Sequence, residues 1–216
     1  DLDMALAQGT HALLTTPGAT RFYRSEHRAT QRLRATVGEQ ARLEWLPMET
    51  LAYSGCHGVN EATFDLAPTG ELMAWDVTSL GLEASGQPFV AGELRQHLHI
   101  QGAWLDRAKL AALDTALLQS PVGLAGKRTW ATLVWARGQA LPPAQVALAL
   151  DCARACMAAS PLAHWAGATQ AHPQVVVVRT LADAVEPAMA LFQSIWAGWR
   201  QQLWGLAGEP DRIWRM

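Results

Sequence analysis

Ala12-Leu13-Leu14-Thr15-Thr16-Pro17-Gly18-Ala19-Thr20-Arg21-Phe22-Tyr23-Arg24-Ser25 is a short apolar run with two threonines, stopped by Pro-Gly and followed by aromatic and basic residues. It reads as a strand, a turn and then a polar segment, because Pro cannot donate to a sheet ladder and Gly accepts turn geometry. The same punctuation extends to both sides. Leu2, Met4 and Leu6 alternate with Asp3 and Ala5 before Gln8-Gly9, and Arg32 to Val37 alternates until Gly38. Further short runs at 42–46, 50–53, 62–66, 71–77 and 94–100 are separated by Pro, Gly or Asn. Many short strands at close spacing predict a mainly β fold, and period alone leaves sandwich, barrel and solenoid-like stack open. No internal repeat, low-complexity segment or long linker stands out.

Two segments break this pattern in the last third. Pro142-Pro143 opens an expected helix to about residue 159, with Val146, Ala149, Leu150, Ala153, Cys156 and Met157 on one face. A second helix is expected from about Asp183 to Leu203, where Phe192, Ile195, Trp196, Trp199 and Leu203 form a wide apolar stripe. Between them Val175-Val176-Val177-Val178 reads as a buried strand. The change near residue 140 need not divide domains, and 1–216 is read as a single unit.

Composition narrows the function classes. With 17 basic and 19 acidic residues the formal net charge is −2, which leaves no footprint for nucleic acid or an acidic membrane. Three cysteines make no secreted disulfide framework and favour a reducing compartment. No apolar run approaches the roughly 20 residues of a membrane span. The start at Asp1 carries no initiator methionine and reads as cut.

Several residues could carry chemistry. His97 and His99 share one strand face, but no carboxylate follows to complete a metal site of the cupin kind, and a solvated strand face is the favoured reading. Cys56-His57 lies between Gly55 and Gly58 in what reads as a loop, where an exposed thiol could catch a soft metal. Cys152 and Cys156 sit four apart in an alanine-rich helix and read as core filler. Gly123 to Thr129 has glycines too closely spaced for a phosphate loop and reads as a turn before a strand. Asp76, after Trp75 in an apolar strand, and Asp106, after Trp104-Leu105, stand out because a buried carboxylate needs a partner. Trp196, Trp199 and Trp204 could cover the β stack or form an assembly surface.

A set of strings taken in order resembles the UreD (UreH) family of urease accessory proteins. The strings are Ala12 to Ser25, Leu43-Glu44-Trp45-Leu46-Pro47 with Glu49-Thr50, Trp75-Asp76, Leu80-Gly81, Ala84-Ser85-Gly86 with Phe89, Ala166-Gly167-Ala168-Thr169, Val178-Arg179 and Arg212-Ile213-Trp214. The resemblance implies stacked, β-helix-like sheets with two α-helices in the C-terminal third. It implies a cytoplasmic, non-enzymatic chaperone that binds apo-urease, UreF and, through the complex, the GTPase UreG, with a homodimer of that complex allowed. It also implies an internal passage for transient Ni²⁺ with no permanent cofactor, and Thr20, Asp76 and Asp106 match its polar positions. Hard carboxylates suit such a conduit because they hold Ni²⁺ loosely, where a His/Cys cage would trap it.

The chain departs from the family pattern in places. An upstream Gly-Gly-Asp motif and several strands are lacking, so an N-terminally truncated domain with an exposed sheet edge is expected. Met48 stands where Gln is common, Leu82 and Gln87 where Arg and Glu are frequent, and Asp106 where many relatives have Glu. Two other readings remain: a β-fold metalloenzyme using His97 and His99, and a docking protein without a nickel path.

Overall fold

The computed structural model describes residues 1–82 and 85–215, with Arg215 described through its backbone alone; Ala84, quoted above, lies outside the described residues. The chain winds as a flattened coil between two sheets. Its strands are β1 (Leu2–Leu6), β2 (His11–Leu14), β3 (Thr20–Phe22), β4 (Ala29–Val37), β5 (Arg42–Trp45), β6 (Thr50–Ala52), β7 (Cys56–Leu66) and β8 (Glu71–Leu80). Next come β9 (Gly92–Ile100), β10 (Trp104–Ala111), α1 (Thr115–Gln119), β11 (Thr129–Arg137), α2 (Pro143–Ala158), β12 (Ala166–His172), β13 (Val175–Ala182) and α3 (Val185–Trp204).

The first sheet has the order β1-β4-β7-β9-β10. Its first four strands are parallel, and β10 returns antiparallel on β9. The second sheet begins as parallel rows, β2-β5-β8 at one end and β3-β6-β8 at the other, and continues antiparallel through β11, β13 and β12. Leu33 lies beside Leu2 on one side and Ala62 on the other, and Leu43 lies between Ala12 and Leu72. Each turn therefore takes roughly 30 residues, within the range of stacked repeats. The solenoid-like alternative is the one realised, capped by antiparallel strands. The mainly β architecture with two C-terminal helices matches the expectation, and the short α1 adds a third helix.

Both expected helices form close to their predicted limits and lie over the outer face of the second sheet. Trp75, Trp135, Leu133 and Val178 of that sheet join Val146, Ala149, Phe192, Ile195, Trp196 and Trp199 in one core. Trp196, Trp199 and Trp204 are 1%, 0% and 7% exposed, so these rings cover the stack. Of the two readings the sequence leaves for these rings, cover of the stack is the one realised, and an assembly surface on them is not. The physical reason is area: large rings on a wide apolar stripe bury against the sheet within the chain itself. Their indole N–H groups also find acceptors there, Trp196 on Glu44, Trp199 on the Ala149 carbonyl and Trp204 on Glu71.

Glu44 fixes this helix to the coil. It is fully buried, accepts from Trp196 and Arg200 of α3, and lies 2.6 Å from His11 Nε2 on β2. Between parallel strands, Gly92 begins β9 with φ of +89°. A Cβ there would fall 2.3 Å from the Cys56 carbonyl oxygen, whereas at Gly102, φ +72°, it would meet nothing within 4 Å. Gly92→Ala should therefore cost about 1–3 kcal/mol and Gly102→Ala about 1 kcal/mol, read as shifts in urea midpoint. Equal midpoints for the two variants would show that the close approach is absorbed without cost.

Candidate functional site: a polar seam between the sheets

The space between the sheets is not uniformly apolar. One cluster gathers Leu33, Ala35, Val37, Leu43, Phe64, Leu72, Ala74, Leu98, Ile100, Val134 and Val177, and a second gathers Phe22, Ala52, Cys56, Leu80, Leu94, Leu110 and Leu124. Between them, strand after strand turns a polar residue inward at the same level. Gln31, Asn60 and Gln96 are register neighbours on β4, β7 and β9. Facing them, Asp76, Thr132 and Arg179 are register neighbours on β8, β11 and β13. Thr20, Thr50 and Thr78 form a further row on β3, β6 and β8.

Hydrogen bonds join these side chains in two groups. The Thr20 hydroxyl donates to Gln31 Oε1 at 3.1 Å, and Gln31 Nε2 lies 3.5 Å from Asn60 Oδ1. Asn60 Nδ2 donates to Asp76 Oδ2 at 3.0 Å and lies 3.4 Å from Thr50 Oγ1. Thr78 Oγ1 is 2.7 Å from Asp76 Oδ1 and 3.1 Å from Gln96 Oε1, so its single proton has two acceptors in reach. At the far end Asp106 Oδ2 accepts from the Thr132 hydroxyl at 3.2 Å and from Arg179 at 2.8 Å.

Cavities border the seam on both sides of Asp76. One of about 20 Å³, room for about one water, is lined by Thr20, Gln31, Asn60 and Asp76 among others. A cleft of about 550 Å³ is lined by Asp76, Gln96, Asp106, Thr132, Trp165 and Arg179 among others. Asp76 lies deep in the fold but stays only half-buried, because these spaces reach it. Burial pushes its pKa up to about 6, against hydrogen bonds from Thr78 and Gln96, and the nearby Asp106 carboxylate adds to the rise. The seam thus offers hard oxygen donors in series and no soft cage, a donor set suited to holding a divalent cation loosely.

The structure brings Thr20, Asp76 and Asp106 onto this one seam and leaves the other candidates elsewhere. His97 and His99 lie on the outer face of the first sheet, where His97 Nδ1 is 3.4 Å from Glu61. Among the described residues, no group of three or more His, Cys, Asp or Glu side chains could hold a metal ion. Cys56 and His57 are not in a loop: they begin β7, with Cys56 fully buried and His57 exposed. Inward alternation explains the difference, since Cys56 faces the apolar cluster with Phe22 and Leu94. Burial pushes the Cys56 thiol pKa up, away from the thiolate a metal would need. The seam residues Gln31, Thr50, Asn60, Thr78, Gln96, Thr132 and Arg179 went unread. Their signal was a polar residue at an inward position of an otherwise apolar alternation, as in Leu94-x-Gln96-x-Leu98.

Among the described residues, no helix is long and apolar enough to cross a membrane. The UreD urease accessory protein family matches residues 1–215. The urease accessory protein UreD of Paracidovorax citrulli (strain AAC00-1) is 51% identical over 217 aligned positions, covering 100% of this chain and 79% of that protein. The UreD proteins of Albidiferax ferrireducens and Polaromonas sp. (strain JS666 / ATCC BAA-500) are 51% and 48% identical with the same coverage. A match along nearly the whole chain, carried by relatives at such identity, means that this chain belongs to the UreD family of urease accessory proteins.

Proposed function

We propose that this chain is a urease-maturation chaperone, acting both as a scaffold and as a conduit for Ni²⁺. As a scaffold it binds apo-urease and UreF, with UreG joining through the complex. As a conduit it passes Ni²⁺ as cargo along the seam from Thr20 past Asp76 to Asp106. It works in the cytoplasm as a single unit, without a resident cofactor or a catalytic residue of its own. The observation that carries this reading is the row of polar side chains between two apolar clusters, with cavities bordering Asp76 and one cleft shared by Asp76 and Asp106. Polar groups set between apolar clusters cost stability unless satisfied, and here they are satisfied from strand to strand in two hydrogen-bonded groups, one around Asp76 and one around Asp106. Family membership supports the urease side of the reading.

The test separates conduit from scaffold. Tagged chain is co-expressed with UreF, UreG and apo-urease, as parent and as Asp76→Ala. Capture of the partners should be equal, while urease activation falls about tenfold or more. Normal assembly with unchanged activation would leave a docking protein whose Asp76 is structural. Failure of the parent to capture UreF and apo-urease would remove the scaffold role.

A further inference from the structure

The cation already present at the open end of the seam is Arg179. Its guanidinium sits 2.8 Å from Asp106 Oδ2, and its side chain is 57% exposed against 27% for Asp106. Other cations line the same cleft, but Arg107 and Lys109 alternate with Asp106 along β10, so they belong to the outer face. Lys109 pairs there with Glu93 at 3.2 Å. Arg179, by contrast, shares its inward row with Thr132 and Asp76.

We propose that Arg179 is a latch on the seam: it neutralises Asp106 at rest and must be displaced before a divalent cation can occupy that carboxylate. This rests on the conduit reading above and adds the residue that controls its open end. The chemistry favours divalent cargo. An ion pair this exposed opens cheaply. A dication has twice the Coulomb attraction of a guanidinium for the same carboxylate, whereas a monovalent ion has no such advantage. Trp104 offers the released side chain a place to rest, since the Arg179 guanidinium carbon already lies 5.8 Å from that ring centroid. Because arginine stays protonated, the latch itself does not open with pH.

The experiment is calorimetric titration of the chain with nickel chloride, each variant first checked for a cooperative melting transition no lower than the parent's. Arg179→Gln should bind Ni²⁺ about tenfold more tightly, the scale on which one adjacent charge alters a carboxylate. Arg179→Lys, which keeps the charge, should bind as the parent does. The gain should vanish in the double variant Arg179→Gln, Asp106→Asn. Parent-like binding by Arg179→Gln, with binding weakened in Asp106→Asn, would overturn the latch and leave the conduit standing. Parent-like binding by both Asp106→Asn and Asp76→Asn would overturn the conduit and the latch with it.

Discussion

Glu44→Ala is expected to destabilise the fold by about 3–5 kcal/mol, the cost of removing one partner from a buried ion pair. The carboxylate is 0% exposed and Arg200 only 16%, so truncation strands a charge that water barely reaches. It also leaves the Trp196 indole N–H without its acceptor and removes the contact to His11 on β2. Trp196 and Arg200 join α3 to the parallel rows and His11 ties β2 to β5, so the loss falls on the junction between helix and sheet. For a chain of this size the melting temperature should drop on the order of 10 °C, measured by differential scanning calorimetry. Replacing Glu44 with Leu and Arg200 with Met together should recover most of the loss, because an apolar pair of similar volume often matches a buried ion pair. A single-variant loss below about 1 kcal/mol would mean that water enters and solvates Arg200.

Glu44 also shows where local reading stops. In the sequence it is one acid in Leu43-Glu44-Trp45, and nothing nearby marks it as buried. Its partners lie 152 and 156 residues away on α3, and such distances are invisible to periodicity. The strands themselves were more legible. β1, β4, β5, β6, β8 and β9 fall where alternation and Pro/Gly punctuation place them, and both long helices agree to within a few residues. β3 and β12 were not read as strands, because Thr20–Phe22 is three residues long and Ala166–His172 is built of small and polar residues. The roughly 30-residue coil left no repeat in the sequence, since a rung needs matching only in inward polarity and size.

The candidate site was legible in part for a similar reason. Asp76 and Asp106 drew notice as acids in apolar surroundings, and Thr20 through the family likeness alone. The neutral members did not, because Asn60 or Gln96 in isolation looks like any strand residue. Only registration makes them a row: Gln31 meets Asn60, and Asn60 meets Gln96, across strands far apart in the chain. His97 and His99 were legible from the same alternation. Alternation puts them on one face, the absence of a following carboxylate favours a solvated face over a metal site, and that face does look outward.

The largest pH effect should come from Asp76. Its carboxyl ordinarily titrates at 3.8 and does so at about 6 in the folded chain. Between those values the folded state holds a proton that the unfolded state has lost, so stability falls as pH rises across the window. About one unit above pH 6 the loss is complete and amounts to about 3 kcal/mol. Asp76→Asn keeps the shape and escapes this titration, so it should be more stable than the parent by about that amount near neutral pH. The advantage should shrink as pH falls through the window and disappear below it. Urea unfolding of both proteins across that range isolates the effect, because every other titrating group is common to the two. A difference independent of pH would mean that the seam solvates the ionised carboxylate as well as water does. The expected outcome bears on the conduit proposed above: stability given up to keep an acid where an amide would fit better is the cost that reading assigns to a charge awaiting a cation. The same variant that gains stability should then be the one that loses nickel.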